Sequence, residues 1–403
     1  MNGQGNEAMK MESAGQAGAD EGRFLVPVLT VGVFGILNTE MGVVGILPQI
    51  AETFRVTVPE AGWTVGLFAL IVAVSAPVMP LLFSGMERKA VMLLALGAFT
   101  LSNVVSACTD SFAVVLMARA FPAFLHPVYV SMALTVAAAS VGRADAPKAV
   151  SRVFVGVSAG MVLGVPVTSL IASAWSFSSA MLFFAAVNAA AFAATVVFVP
   201  RMPVKERLSY GEQLGVLKRA ATWHAILAVT MVNAAMFGFF SYLSDYLRTV
   251  TEVSFNLVSA ILLLYGLANM EGNMLAGRLL SGHAARCVAV LPFALMGGYA
   301  SLFLLGSMPV PAAAAVAGLG VLAGIASNGM QYIMTNSAPE APDFANGLFL
   351  TAANLGTAVG TAACGLLISL SGTRFAVCGT LPFLLAGFAF ILWRSRAVRF
   401  FHP

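Results

Sequence analysis

The run SAMLFFAAVNAAAFAATVVFV (179–199) leads into PRMPVKERLSYGEQLGVLKRAAT (200–222), then into WHAILAVTMVNAAMFGFFSYLSDYL (223–247). The first run is uncharged and about as long as the ~20 residues that cross a bilayer as a helix. The second carries Arg201, Lys205, Arg207, Lys218 and Arg219 and has no long apolar run. The third is apolar again until Asp245 near its end. This alternation of a membrane-length run and a basic loop decides the fold.

Working outward, ten more runs fit a membrane crossing: 24–47, 61–83, 90–107, 113–141, 149–173, 256–280, 288–306, 311–337, 345–371 and 376–395. The composition agrees. Of 403 residues, 59% are hydrophobic and 9% charged, against roughly 25% charged in a soluble domain. So few charges cannot cover a soluble surface, which excludes a soluble enzyme, a disordered chain and a small secreted scaffold. Unbroken runs also exclude an outer-membrane barrel, which alternates over about ten residues. The expected class is an all-α integral membrane protein of twelve helices.

Basic side chains give the orientation. Of 21 Lys and Arg, 17 fall on one side, Arg55, Arg248 and Arg374 on the other, and Arg119 inside a span. The excess marks the cytoplasmic side and places both termini there, which requires an even number of spans. The chain then divides into a flexible tail (1–23), a six-helix bundle (24–199), a linker (200–222), a second six-helix bundle (223–396) and a short tail (397–403). The net charge of +4 belongs to these loops and does not point to nucleic acid. The halves resemble each other. Leu82-Phe83-Ser84-Gly85 before Arg88-Lys89 matches Leu279-Leu280-Ser281-Gly282 before Arg286. Ala146-Pro147 before Phe154 matches Ala341-Pro342 before Phe349, offset by 195. Offsets this similar indicate a duplicated six-helix unit.

No phosphate-binding loop, His-Glu-x-x-His helix, Gly-x-Ser-x-Gly turn or cysteine cluster is present. No cofactor or metal is expected, and Cys108, Cys287, Cys364 and Cys378 read as unpaired small side chains. Without a nucleotide site, a gradient must supply any energy.

The stretch from Thr39-Glu40-Met41-Gly42 to Leu47-Pro48, with Ala61-Gly62 and Ala76-Pro77, resembles the start of major facilitator superfamily exporters. Within these it is similar to the arabinose-efflux-permease-like branch of the drug:proton antiporters. Gly266-Leu267-Ala268-Asn269 through Asn273 to Gly277-Arg278 resembles that branch's eighth helix. Asn354-Leu355-Gly356 with Gly360 resembles its eleventh. The loop Ser84-Gly85-Met86-Glu87-Arg88-Lys89 departs from the family, its acid being displaced. The resemblance implies two pseudo-symmetric bundles of the major facilitator fold, alternating access and a monomer in the lipid bilayer. It also implies proton-coupled export of a small neutral or weakly cationic compound, such as a drug, sugar or nucleoside. The alternative is an uncoupled facilitator or an importer of a small metabolite.

Ionisable groups inside the spans are few, because a charge at the bilayer centre costs at least about 2.5–3.5 kcal/mol. Glu40 lies sixteen residues after Phe24, roughly 24 Å along its helix, and is the expected proton site. Its alternative is a fixed helix–helix hydrogen bond. Arg119 and His126 are seven apart, on one face. The resemblance gives Arg119 a part in coupling, and the other reading is an anchor to backbone carbonyls. Glu271 divides between a cavity role and an ion pair with Arg278. Asp245 either faces water or attracts cationic substrates. Asn38, Tyr129, Asn233, Tyr242, Asn328, Gln331 and Asn354 are candidate cavity-lining groups. Gly156, Gly160 and Gly164, with Pro166, form a small-residue stripe for close packing. By resemblance this stripe controls opening toward the cytoplasm.

Overall fold

A computed structural model describes residues 24–56, 58–202 and 210–401. The expected tail 1–23, part of the expected linker and the last two residues lie outside the described residues. Everything described is helix or short connection. Among the described residues, ten helices are long and apolar enough to cross a membrane.

Helix α1 (Phe24–Ile46) tightens into a 3-10 turn at Val43–Ile46 and continues as Leu47–Phe54. Helix α2 comes in two pieces, Trp63–Ser75 and Met79–Phe83. The break at Ala76-Pro77-Val78 follows from Pro77, which lacks an N–H and crowds the preceding turn. Next come α3 (Arg88–Cys108), α4 (Phe112–Ala139), α5 (Ala146–Ala174) and α6 (Phe177–Phe198). In the second half, α7 (Ala220–Phe240) breaks at Ser241-Tyr242 and resumes as Leu243–Thr249. After the α8–α9 segment follow α10 (Pro309–Thr335), α11 (Pro342–Ser371) and α12 (Thr380–Phe401).

Helices α8 and α9 lie within one helical stretch, Phe255–Leu305, whose only non-helical residue is His283. Straight, it would be about 77 Å long, more than twice the hydrocarbon core. It is not straight. A Cβ on Gly272 would meet Val321, and one on Gly298 would meet Leu319. Positions 26 apart therefore reach the same level of α10, so the chain reverses at His283. α8 is 255–282 and α9 is 284–305. This corrects the expectation of a loop over 281–287. Ala284, Ala285 and Arg286 are good helix formers, so one residue makes the turn. The linker is likewise partly helical, with Tyr210–Gly215 and Val216–Lys218.

Helices α1–α6 form one bundle and α7–α12 the other, with α3 packed on α6 and α4, and α7 on α11 and α12. Between bundles, α5 packs on α8 and α11 on α2. These are the same contact seen from each half. Among the described residues, the two non-glycine residues with left-handed backbone, Arg55 (φ 54°) and Glu252 (φ 55°), are 197 apart. Each follows the extension of its bundle's first helix. Phe154 meets Phe349 edge to face at 6.1 Å, and these are the residues matched by the offset of 195. Equivalent residues can touch only at the pseudo-two-fold axis.

Candidate functional site

Helix α4 is buried throughout from Leu125 to Ala137 and runs beside α1 and α2. His126 Nε2 lies 3.1 Å from Glu40 Oε2, an ion-pair distance that lacks the alignment of a hydrogen bond. The Glu40 side chain is 15% exposed and that of His126 7%. His126 Nδ1 is buried without a partner among the described residues. The Phe68 ring stands edge-on to His126 at 5.9 Å, and the Arg119 guanidinium lies 5.4 Å from the same ring. Arg119 Nε donates to Thr64 O at 2.9 Å and Nη1 to Thr39 O at 3.5 Å. Arg119 thus ties α4 to α1 and α2 through backbone carbonyls while its charge stands beside Glu40.

A second layer fixes where Glu40 points. Thr39 Oγ1 donates to Gly35 O and accepts from Asn188 Nδ2 at 2.8 Å and Asn103 Nδ2 at 3.4 Å. Buried amides of α3 and α6 therefore hold the α1 turn that carries Glu40. Phe68, Asn103 and Asn188 were not among the expected site residues. The rule that selected Asn38, an amide inside a span, applies equally to Asn103 and Asn188.

The bundles are joined at the end where the basic loops lie. Arg88 Nη2 reaches Asp343 Oδ2 at 3.3 Å, and Ser131 Oγ donates to Asp343 O at 2.6 Å. On one side of the axis, Ser158 Oγ bonds Asn269 Oδ1 at 2.6 Å, and Asn273 Nδ2 donates to Ser158 Oγ at 2.7 Å. Asn328 Nδ2 donates to Asn273 Oδ1 at 2.7 Å. On the other, Gln331 Nε2 donates to Asn346 Oδ1 at 2.8 Å, and Asn346 Nδ2 to Thr135 Oγ1 at 3.1 Å. Phe154 lies one turn from Ser158 on α5, and Phe349 one turn from Asn346 on α11. The displaced acid of the α2–α3 loop, Glu87, caps α3 by accepting from Lys89 N and Ala90 N, and it also accepts from Met202 N.

The profile of the Major Facilitator Superfamily matches residues 29–361. The chain belongs to that superfamily. The inner membrane transport protein YdhP of Escherichia coli K12 is 28% identical over 364 residues, 90% of this chain and 93% of YdhP. The MFS-type transporter YtbD of Bacillus subtilis is 31% identical over 341 residues, 83% of this chain and 85% of YtbD. The putative transporter AraJ of Escherichia coli K12 is 26% identical over 347 residues, 85% and 87% of the two chains. Among solved structures, the FucP transporter in its outward conformation superposes with TM-score 0.77 at 14% identity, covering 93% of this chain and 99% of FucP. The human organic anion transporter MFSD10 does so with TM-score 0.71 at 18% identity, covering 92% and 99%. At such identities these structures show the fold alone. This is a multi-pass membrane transporter that binds small molecules, and its relatives are transporters rather than enzymes.

The remaining expected residues of this transporter spread over several roles. Asn38 is buried against Gly164, at the α1–α5 contact. Gly156 and Gly160 face the same helix, and a Cβ on Gly160 would lie 2.7 Å from Leu37 Cβ. The glycine stripe thus packs α5 on α1 within one bundle, while Ser158 and Val162 face α8 of the other. Pro166 is exposed. Tyr129 is fully buried beneath Gly32 of α1. Asn233 donates to Val229 O in its own helix and packs on Gly356. Asn328 and Gln331 belong to the two clasps. Tyr242 donates to Thr361 O at 3.1 Å, and Asp245 accepts from Thr373 at 3.0 Å. Asn354 is exposed and donates to Leu350 O. It lies two turns beyond Gly347, which packs on Ala76 and Pro80 of α2, so it shares the face turned to the first bundle. Glu271 is exposed on a face with exposed Leu264, Leu267 and Met274. No ion pair joins it to Arg278 among the described residues. It stands apart from Glu40, on the side of α8 away from α5 and α10.

Proposed function

We propose that this chain is a proton-coupled exporter of small, neutral or weakly cationic compounds, of the drug:proton antiporter type. The observation that carries this reading is the Glu40–His126 pair, flanked by Arg119, among helices whose other positive charges, Arg88, Lys89, Lys148 and Arg152, lie toward their basic ends. The basic end faces the cytoplasm by the positive-inside rule, and the similarity to YdhP, an inner membrane transport protein, supports placement in an inner membrane. The present arrangement, closed at the basic end, is then the outward-facing state.

The cycle follows from charge. Glu40 and His126 together are neutral when paired as carboxylate and imidazolium. A proton from outside converts Glu40 to its neutral form and breaks the pair. Arg119 stays, held by two carbonyls, so the local charge changes by one. Substrate bound near Glu40 loses that carboxylate as a partner and leaves outward. When the clasps part, the cytoplasmic side draws the proton off and the pair re-forms as substrate loads. For a neutral compound, one proton moving inward through 100 mV supplies about 2.3 kcal/mol, roughly a fifty-fold gradient; for a singly cationic one the two charges cancel and the pH difference alone drives export. Bundles rocking about a midplane site give the alternating access.

The test uses sealed proteoliposomes and a panel of sugars, nucleosides and aromatic cations. With Glu40→Gln, exchange of labelled for unlabelled compound is expected to persist while pH-driven accumulation is lost. Accumulation at the parental rate would remove Glu40 from coupling. A parent protein that exchanges but never accumulates is the uncoupled facilitator.

A further inference from the structure

The two seams between the bundles are built alike and charged differently. On one, Gly347 of α11 packs on Pro80 of α2. On the other, Gly277 of α8 packs on Lys148 and Ser151 of α5. The offset of 195 places Lys148 on Asp343, Ser151 on Asn346 and Arg152 on Gly347. The offset of 197 places Gly277 on Pro80 and Arg278 on Leu81. The α2–α11 seam is joined by opposite charges, Arg88 and Asp343, 3.3 Å apart. The α5–α8 seam has a lysine where that acid stands. It also has an exposed arginine from each bundle where the first seam has buried Gly347 and Leu81.

That positive charge is uncompensated. Lys148 pairs with Asp145 at 2.7 Å, within its own bundle and in water. Arg152 and Arg278 have no hydrogen-bond or ion-pair partner among the described residues. No Asp or Glu occurs from Ala146 to Lys205 or from Gly272 to Pro339, so α5, α6, α9 and α10 carry no acid. Arg152 follows Ser151 and Arg278 follows Gly277, the two residues in contact, so the arginines stand at one level on either side of the seam. Each ends an exposed stripe. On α5 the stripe is Arg152, Leu163, Pro166 and Leu170, and on α8 it is Leu264, Leu267, Glu271, Met274 and Arg278. Residues at these spacings share a face, and these faces turn away from the clasp of Ser158 and Asn273, toward lipid. Arg152 is roughly 9 Å from the basic end of α5 and Arg278 roughly 6 Å from that of α8. Long basic side chains at that depth reach the headgroup phosphates.

We infer that Arg152 and Arg278 together hold the phosphate of an anionic phospholipid from the leaflet at the basic end, one arginine from each bundle. The headgroup supplies at the α5–α8 seam the negative charge that Asp343 supplies at the other. Parting the bundles at this end draws the two arginines apart and dismantles the site. The lipid therefore binds the closed arrangement better and shifts the population toward it. Neither Glu40 nor proton coupling enters this site.

The test is a melting titration of the purified full-length protein in mild-detergent micelles. The added ligands are phosphatidylglycerol, phosphatidylcholine with the same chains, and inorganic phosphate. A ligand that binds only the folded protein raises its melting temperature. A saturable rise is expected with phosphatidylglycerol alone. Arg152→Gln and Arg278→Gln are each expected to weaken that binding about fivefold, and both together about thirtyfold, as for basic side chains at an anionic surface. Replacing both arginines by Lys keeps the charge and should restore most of it. Arg143→Gln with Arg286→Gln removes as much charge from exposed positions at the same end and should leave the affinity at the parental value. Melting without added lipid shows which variants fold, and the single variants suffice if the double one does not. Parental affinity in either folded single variant would overturn the inference, because one bundle alone would then hold the lipid. So would an equal loss in the Arg143 and Arg286 pair, an equal rise with phosphatidylcholine or inorganic phosphate, or no rise with phosphatidylglycerol in the parent.

Discussion

Replacing Arg88 by Gln should open the basic end. Asp343 is buried there, its side chain 6% exposed against 21% for that of Arg88, and Arg88 is its ion-pair partner across the bundles. Removing one partner of a buried pair costs about 3–5 kcal/mol, because the other charge is left uncompensated. Arg88 is partly hydrated, so we take about 2–3 kcal/mol. That penalty applies only while the bundles are closed at this end, since parting them returns Asp343 to water. The ratio of closed to open molecules should then fall by roughly 30- to 150-fold. Spin labels at Gly142→Cys and Gly282→Cys report the separation. Both positions are exposed, with open space around the added side chain, and lie on opposite bundles at the basic end. The four native cysteines, all unpaired, are removed beforehand. Electron–electron distance measurement should show one short separation in the parent and a second, longer one in Arg88→Gln. The control is Arg219→Gln. Arg219 pairs with Glu340 at 2.6 Å, but within one bundle and in water, where such a pair is worth at most about 1 kcal/mol. An Arg88→Gln protein with the parental distance distribution would refute the reasoning.

Three further outcomes follow from the same contacts. Gly160→Ala must push α1 from α5, since its Cβ would lie 2.7 Å from Leu37 Cβ and 3.0 Å from Phe34 O. A loss of about 1–3 kcal/mol should appear as a lower melting temperature, and an unchanged melt would show the stripe is not tight. Arg119→Lys should fold but lose both stability and pH-driven flux, because an ammonium cannot reproduce the planar fork that holds Thr39 O and Thr64 O. Parental flux in a melt-stable Arg119→Lys would show that a charge alone suffices. Burial pushes the Glu87 carboxyl up, but the N–H groups of Met202, Ala90 and Lys89, with Arg201, outweigh it and hold it below its usual value. Its contribution is therefore complete above the usual carboxylate range and lost as pH falls through the lowered value. The stability gap between parent and Glu87→Gln should close over that acid window, and a gap independent of pH would contradict the cap.

Much of the fold was legible because the bilayer imposes its own length and charge rules. The runs from 90–107 to 179–199 fall on α3 to α6 with only small shifts, since their ends coincide with charges, prolines or polar turns. The duplication was visible as two short matches, and contact between Phe154 and Phe349 gives it a physical basis that no single strand of sequence contains. The α8–α9 turn was misread as a loop, because one residue suffices to reverse a chain when flanking residues favour helix. The site was legible in part. Glu40, Arg119 and His126 stood out through the cost of charge in lipid. Their partners did not: Phe68 is one apolar residue among many, and Asn103 and Asn188 are single amides whose meeting at Thr39 depends on three-dimensional packing. The clasp amides Asn269, Asn273 and Asn346 carry no spacing signal that links them to Ser158 or Thr135.

The central claim is that Glu40 carries the coupled proton. The most direct test encloses a pH-sensitive dye in liposomes bearing the purified protein, imposes a pH gradient and adds one candidate compound at a time. Proton flux should appear with a transported compound and vanish in Glu40→Gln, while the variant still binds that compound. Equal compound-dependent proton flux in the parent and Glu40→Gln would contradict it.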